Sequence, residues 1–270
     1  MTRVAIAFAT LVAAAVMALP AAAITDGELD GDGHPAVVLI LMEVDGAPAF
    51  RCSGTLIKAT YVLTAGHCAG APGEFSGMRV FTESDVQAGV GSTNNYPFAG
   101  PNSVEAVRWA AHPLYPTAPF FVHDVGMIEL ASPVSLPAEQ YGTLPTTNEL
   151  DALKPRRSTT FTSVGYGLQK SFPTATAYKN SKLKTRYVAH PHLIQINGGL
   201  VRDYSLLLSN NANTGGTCFG DSGGPNFLGD SMKVAAVTSF GLNSTCGGTG
   251  GVFRIDRPDV LDFINDFMDS

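Results

Sequence analysis

Residues 218–225 read Cys-Phe-Gly-Asp-Ser-Gly-Gly-Pro, a stretch in which a single serine lies among glycines. Glycines on both sides of Ser222 allow backbone amides to approach a substrate carbonyl without a Cβ in the way. A serine hydroxyl is a poor nucleophile unless a base takes its proton, and that base needs an orienting carboxylate. The stretch therefore predicts a histidine and an acid elsewhere in the chain.

Two earlier stretches supply these groups. The sequence Leu-Thr-Ala-Gly-His-Cys ends at residue 68 and places His67 at the end of a candidate strand. A disulfide from Cys52 to Cys68 would contribute about 3 kcal/mol and fix this histidine. The sequence His-Asp-Val-Gly-Met-Ile-Glu-Leu, residues 123–130, places Asp124 at the head of an apolar strand. We predict a catalytic triad of His67, Asp124 and Ser222.

Composition favours an all-β protein. The chain has 270 residues and is 45% hydrophobic, which suffices for one large core or two modest ones. Its 29 glycines and 17 prolines, beside only 15% charged residues, are typical of many turns between short strands. The 17 basic and 23 acidic residues give a net charge of −6 without a basic cluster, so nucleic acid is not an expected partner.

The first 23 residues resemble a signal peptide. Arg3 precedes the apolar stretch 4–19, and Ala21-Ala22-Ala23 provides a small-residue cleavage site, which predicts cleavage after Ala23. The alternative is an uncleaved membrane anchor, but the stretch is rich in weakly hydrophobic alanine. We expect a secreted protein that is not held at a membrane after cleavage. In an oxidising compartment its four cysteines predict two disulfides, and three pairings are open.

Apolar runs bounded by turn residues divide the mature chain into two halves. We predict a signal peptide at 1–23, one β domain at 24–135 and a second β domain at 136–270, joined by the Pro-, Ser- and Thr-rich stretch 131–148. Asp256 as cap and Pro258 in the first turn predict a short amphipathic C-terminal helix. The predicted strands are 36–42, 55–63, 78–81, 105–109 and 125–130 in the first half, and 159–164, 182–188, 206–209 and 234–240 in the second.

These stretches resemble the chymotrypsin-like serine peptidases, whose sequences carry T-A-A-H-C, D-I-A-L and G-D-S-G-G-P in that order. The segment from Ile24 also resembles the family's mature start I-V-G-G, and Thr238-Ser-Phe-Gly resembles its S-W-G strand. The resemblance implies two six-stranded antiparallel β-barrels with a short C-terminal α-helix, and an active site in the cleft between the barrels. The sequence departs from the family pattern at two positions. Gly66 replaces a common alanine, and Phe240 replaces the usual tryptophan.

The resemblance also implies roles for further residues. It assigns the oxyanion hole to the amides of Gly220 and Ser222, the second disulfide to Cys218 and Cys246, and an activating ion pair to the freed amino group of Ile24 with Asp221. The pocket would carry no charge, which disfavours lysine or arginine specificity. The substrate-binding residues would be Gly216, Thr217, Ser239, Phe240, Gly241 and Gly251.

Two other functions remain as alternatives. Gly220-Asp-Ser-Gly-Gly224 also fits the G-x-S-x-G elbow of α/β-hydrolases, but in those enzymes the serine precedes the acid and the histidine. A catalytically silent binding protein of the same fold is the second alternative. We expect peptide or protein substrates, a protein protease inhibitor as a further partner, and a monomer. We assign no cofactor and no metal, since His190 and His192 lack a third ligand.

Overall fold

The computed structural model describes residues 24–117, 122–169 and 183–270. The predicted signal peptide lies outside the described residues, as does Lys182, the first residue of one predicted strand. The described strands are β1 (Glu28–Leu29), β2 (Val37–Val44), β3 (Ala47–Lys58), β4 (Tyr61–Thr64), β5 (Gly77–Phe81), β6 (Ser103–Ala111), β7 (Gly126–Leu130), β8 (Phe161–Gly165), β9 (Tyr187–Ala189), β10 (Leu193–Gln195), β11 (Ser205–Asn210), β12 (Pro225–Leu228), β13 (Val234–Gly241) and β14 (Gly248–Arg254).

The helices are short except at the C-terminus. They are α1 (Gly66–Ala69), α2 (Val86–Gly89) and α3 (Pro258–Asp269), with 3₁₀ turns at Tyr115–Thr117, Ala138–Gln140 and Glu149–Ala152. Among the described residues, no helix combines the length and the apolar character that a membrane span requires.

The first sheet is a closed barrel of antiparallel strands in the order β2-β3-β4-β7-β6-β5. Strand β2 is continuously apolar from Val37 to Met42 rather than alternating, because both of its faces are buried there. Val37, Leu39 and Leu41 belong to a cluster that includes residues of the second sheet and α3. Val38 and Ile40 point the other way, into a cluster most of whose members lie between residues 36 and 130.

The second sheet has eight strands in the order β1-β9-β8-β12-β13-β14-β11-β10. The sheet closes on itself between β8 and β10, because Thr160 bridges His192 and the Leu193 amide donates to the Thr159 carbonyl at 2.8 Å. Six strands, β8 and β10–β14, thus curl around a second core. Strand β1 comes from the first half of the sequence but pairs with β9 of this sheet. The all-β prediction of two barrels and a C-terminal helix is confirmed.

Three local predictions are wrong. Of the predicted strand 182–188, only Tyr187 and Val188 lie in a described strand, β9. The predicted strand 55–63 is a hairpin, in which β3 and β4 pair through Leu56 and Val62 across a turn at Ala59-Thr60. Asp256 does not cap α3, whose N-cap is Arg257. The Asp256 carboxylate is instead buried and accepts hydrogen bonds from Arg254 Nε at 2.9 Å and the Leu150 amide at 2.8 Å. Leaving the buried guanidinium of Arg254 without a counter-charge would cost more free energy than leaving the exposed helix end uncapped.

Candidate active site

His67 lies in α1, directly after the last residues of β4. The disulfide between Cys52 and Cys68, with a Cα–Cα distance of 6.2 Å, ties this short helix to β3. Gly66 departs from the family's alanine for a steric reason. A Cβ at this position would lie 2.9 Å from Cγ of Tyr115 and 3.1 Å from the Val125 nitrogen. In this chain the Tyr115 ring therefore occupies the space that an alanine methyl would need.

Asp124 is buried and oriented toward His67. Its Oδ1 accepts the His67 backbone amide at 2.9 Å, and its Oδ1 and Oδ2 lie 3.1 and 3.0 Å from His67 Nδ1. The hydroxyl of Ser239 donates a further hydrogen bond to Oδ2. Because a neutral imidazole donating through Nδ1 carries its lone pair on Nε2, this arrangement presents His67 as a base.

The pKa of His67 is shifted by two opposing effects. Burial lowers it, but the negative charge of Asp124 and the hydrogen bond to its carboxylate more than compensate, and the net pKa is raised above 6.5. The imidazolium that would form on taking a proton is therefore stabilised.

Ser222 lies in a loop that folds back on β3. The Ser53 amide donates to the Ser222 carbonyl at 2.8 Å, and the Ser53 hydroxyl donates to the Gly220 carbonyl at 3.0 Å. Gly220 has φ +97°, a conformation that favours glycine. In the described part of the chain, the amides of Gly220 and Ser222 donate to no protein acceptor. The Ser222 hydroxyl likewise makes no hydrogen bond to a described residue.

Asp221 is fully buried beside this loop. It accepts the Gly167 amide at 2.7 Å and the Cys218 amide at 2.9 Å. Burial raises its pKa to about 7, although these two amides and the positive charge of Arg51 act in the opposite direction. A Cβ on Gly165 or Gly167 would come within 2.3 or 2.4 Å of the carboxylate.

Ile24, the predicted partner of Asp221, is also fully buried. Its side chain packs against Tyr187 and Ala189. The next residue, Thr25, pairs with Gly216 and accepts its amide at 3.0 Å. The segment thus lies against the pocket end of the Ser222 loop.

A cavity of about 300 Å³ opens beside Ser222. Four of the predicted substrate-binding residues line it, namely Thr217, Ser239, Phe240 and Gly241. No charged side chain is among its described lining residues, and its polar side chains include Thr217 and Asn243. The second disulfide, Cys218–Cys246, forms part of its wall. Both predicted disulfides are confirmed.

The structure does not place Gly216 and Gly251 in the lining of this cavity. A Cβ on Gly216 would lie 2.3 Å from Cγ of Asn210, so this buried asparagine fills the space below the base. Gly251 lies under the ring of Phe240. A Cβ on Gly251 would lie 2.3 Å from Cε2 of that ring. Both glycines therefore permit close packing behind the wall rather than opening the cavity.

Behind Asp124, the rings of His112 and His123 stack with centroids 4.7 Å apart and planes 10° apart. Asp259 of α3 completes a cluster of metal-ligand types, 3.2 Å from His123 Nδ1. The stacking does not suit a metal, because the lone pairs of near-parallel rings do not converge on one ion. The Leu114 amide also donates to His112 Nδ1 at 3.2 Å, which leaves the proton of a neutral ring on Nε2.

Comparison with known proteins agrees with this geometry. A family model described as Trypsin matches residues 32–264. The chain belongs to the trypsin family. It is 31% identical over 109 residues to serine protease Hayan of Drosophila melanogaster, covering 40% of this chain and 16% of the relative. It is 28% identical to the phenoloxidase-activating enzyme of Bombyx mori, covering 88% of this chain and 57% of the relative. The chain thus spans less than two thirds of either relative.

Solved structures show the same fold. HL collagenase superposes with a TM-score of 0.68 at 22% identity, covering 92% of this chain and 99% of the other. A mutant of human heparin binding protein superposes with a TM-score of 0.66 at 18% identity, covering 92% and 97%. The fold of this trypsin-family chain is therefore that of both proteins.

Sequence reasoning missed the residues that support the site from behind. Ser53 anchors the Ser222 loop, and Asn210 donates from Nδ2 to the Thr217 carbonyl at 2.8 Å while accepting the Thr25 hydroxyl at 2.8 Å. The signal for Gly165 and Gly167 was present as a Gly-Tyr-Gly turn after a strand, since paired glycines there indicate close backbone approach. Ser53 and Asn210 left no local signal.

Proposed function

We propose that this trypsin-family chain is a secreted serine endopeptidase that hydrolyses peptide bonds in peptide or protein substrates through an acyl-enzyme. The observation that carries the proposal is the Asp124 carboxylate, which is buried and holds His67 through both its backbone amide and Nδ1. Such a carboxylate fixes the tautomer a general base requires. The names of the insect relatives, a serine protease and an activating enzyme, support the same class.

In the proposed mechanism Ser222 Oγ attacks the scissile carbonyl while His67 Nε2 takes the hydroxyl proton and passes it to the leaving amine. The amides of Gly220 and Ser222 receive the oxyanion, since neither is satisfied by a described protein acceptor. A second cycle with water as nucleophile releases the acid. The Asp124 carboxylate stabilises the imidazolium at each transfer.

The proposed specificity disfavours lysine and arginine at the cleaved residue. The cavity beside Ser222 has no carboxylate in its described lining, so a cationic side chain there would lose its hydration without a counter-charge. Its volume of about 300 Å³ suits large apolar side chains. A peptide library cleaved chiefly after arginine would contradict this part of the proposal.

Maturation is proposed to need only signal cleavage after Ala23. The freed ammonium of Ile24 would then pair with Asp221 and order the Gly220 amide. Two observations on the chain that still retains Ala23 support this proposal. Ile24 and Asp221 are both buried, and among the described residues the Asp221 carboxylate accepts hydrogen bonds only from backbone amides. We also expect an extracellular monomer that a protein protease inhibitor can block.

The test is labelling of the secreted protein with a fluorophosphonate, followed by mass spectrometry of the modified peptide and of the N-terminus. We expect modification of Ser222 on chains that begin at Ile24, and no modification of Ser222→Ala. Turnover should fall by about 10⁴-fold or more in that variant. An unlabelled chain beginning at Ile24 would favour a silent binding protein. Labelling only after further proteolysis would reveal a separate activation step.

A further inference from the structure

A second cavity borders the Ser222 loop on the side opposite the pocket. It measures about 540 Å³, and Gly220 and Phe219 form the wall that faces the proposed oxyanion hole. The smaller cavity is lined by Phe219 and Ser222 of the same loop. The loop therefore separates two cavities. A peptide whose carbonyl lies at the Gly220 and Ser222 amides, with the preceding side chain in the smaller cavity, leads its next residues past Gly220 into the larger one.

The larger cavity is positively charged in a protein whose net charge is −6. Its described lining contains Arg51 and Lys184 and no aspartate or glutamate. The Arg51 guanidinium lies close to the reacting centre, with Nε 3.6 Å and Nη2 3.8 Å from the position of a Cβ on Gly220. Lys184 is held at the opposite wall, where its Nζ donates to Gln87 Oε1 at 2.7 Å.

Arg51 is well suited to bind an anion from the substrate. Among the described residues, no carboxylate forms an ion pair with its guanidinium. A guanidinium presents paired N–H donors that match a carboxylate. The rim adds apolar surface, since Phe50 and Phe219 are 58% and 49% exposed. An aspartate or glutamate side chain could therefore place its methylenes on the rim and its charge on Arg51.

We propose that this cavity selects an acidic side chain at the first or second residue after the scissile bond, with Arg51 as the specificity-determining residue. This inference rests on the proposed peptidase function and adds a preference on the leaving side of the bond. Arg51 has one competing role, because its charge also acts on the buried Asp221. If Arg51 only supported the Ser222 loop, its loss would reduce the hydrolysis of every substrate equally. If Arg51 binds substrate, the effect of its loss depends on which residues follow the scissile bond.

The experiment compares kcat/KM for matched quenched peptides with glutamate or glutamine at the first or second position after the bond. A p-nitroanilide substrate, which has no residue there, is measured in parallel. We expect wild type to favour glutamate by about tenfold at one position, and Arg51→Gln to remove the preference while leaving anilide turnover within about twofold. Arg51→Lys should keep part of the preference, because it retains charge but loses the paired donors.

The control is Arg156→Gln, which removes the same charge from an exposed turn and should preserve the glutamate preference. Raising the salt concentration from about 0.05 to about 0.5 M should reduce the preference in wild type, which tests the charge without any variant. Equal rates for glutamate and glutamine in wild type would overturn the inference. So would an equal loss for peptide and anilide in Arg51→Gln, which would assign Arg51 to the loop.

Fluorophosphonate labelling separates the two proposals. Labelled Ser222 without a glutamate preference refutes only the anionic subsite. If Ser222 is not labelled and no peptide is cleaved, the proposed function is wrong and this inference fails with it.

Discussion

At the scale of single residues, the contact between His67 and Asp124 should determine how the proposed activity falls at low pH. His67 must be neutral to accept a proton, and the charge of Asp124 raises its pKa above 6.5 despite burial. We expect kcat/KM to fall as pH decreases through a value above 6.5. In Asp124→Asn the fall should move to lower pH and kcat should drop by about 10⁴-fold. A profile of kcat/KM against pH tests this. A wild-type profile in which kcat/KM falls only below pH 6.5 would contradict it.

Gly220 is the residue at which backbone conformation and proposed catalysis meet. At φ +97° an alanine is strained, and its Cβ would lie 3.0 Å from Cα of Gly167. Gly220→Ala should rotate the amide away and reduce kcat by about 100-fold, the usual effect of losing one oxyanion donor.

The matched control for this change is Gly229→Ala. Gly229 also has positive φ, at +57°, but nothing lies within 4 Å of its Cβ position. It should lose about 1 kcal/mol of stability and no activity. If both variants keep full kcat, the Gly220 amide has no part in the reaction.

The sequence suggested candidate site residues, but not the residues that support them. His67, Asp124 and Ser222 were recognisable because each lies in a short pattern whose residue types the chemistry requires. Asn210 was not recognisable, because its contacts with Thr25 and Thr217 form only when three separate segments fold together. Gly216 packs closely against the same Asn210 side chain, and its role in the pocket stays a prediction.

At the scale of elements, apolar runs predicted most strands of the first barrel but missed β1, β10, β12 and β14. No glycine or proline marks the turn at Ala59-Thr60, so residues 55–63 were interpreted as one strand instead of a hairpin. The predicted N-cap of α3 was wrong for a different reason. Asp256 precedes proline as a cap often does, but the buried Arg254 two residues earlier takes its carboxylate. The C-terminal helix itself was predicted correctly from its apolar spacing.

The corrected role of Asp256 predicts a large effect on stability. As a helix cap, its replacement by alanine would cost about 1 kcal/mol. As the partner of a buried guanidinium, Asp256→Ala should lower the free energy of unfolding by about 3 kcal/mol, because Arg254 keeps only its contacts with Asp151 and Asn197. Urea unfolding measures the difference. Asp262→Ala, an exposed change in the same helix, should cost under about 0.5 kcal/mol.

At the scale of the molecule, the residues of the proposed site come from both sheets. His67 follows β4 and Asp124 precedes β7, both strands of the first barrel. Ser222 precedes β12 of the second sheet. The cluster that joins the sheets contains Val37 and Leu39 of one and Val164 and Val237 of the other. No pattern within either half predicts this arrangement. It entered the sequence analysis only through the resemblance to a family.

The proposed pairing of Asp221 with Ile24 would link the state of the N-terminus to the stability of the whole molecule. With Ile24 still in peptide linkage, the pKa of Asp221 is about 7 in the folded chain, against an ordinary value of 3.8. Between these values the folded chain holds a proton that the unfolded chain has released. The free energy of unfolding should therefore decrease as pH rises from about 4 to about 7, by at most about 1.4 kcal/mol per pH unit.

A freed ammonium at Ile24 should reverse this dependence, because a neighbouring positive charge lowers the pKa of the carboxylate. Stability from Asp221 would then be present above about pH 4 and lost toward acid. The measurement is urea unfolding across this pH range of two chains, one beginning at Ile24 and one retaining Ala23. We expect opposite slopes, and Asp221→Asn should remove the difference. Equal slopes in both chains would show that Ile24 does not pair with Asp221, and activation by signal cleavage would have to be abandoned.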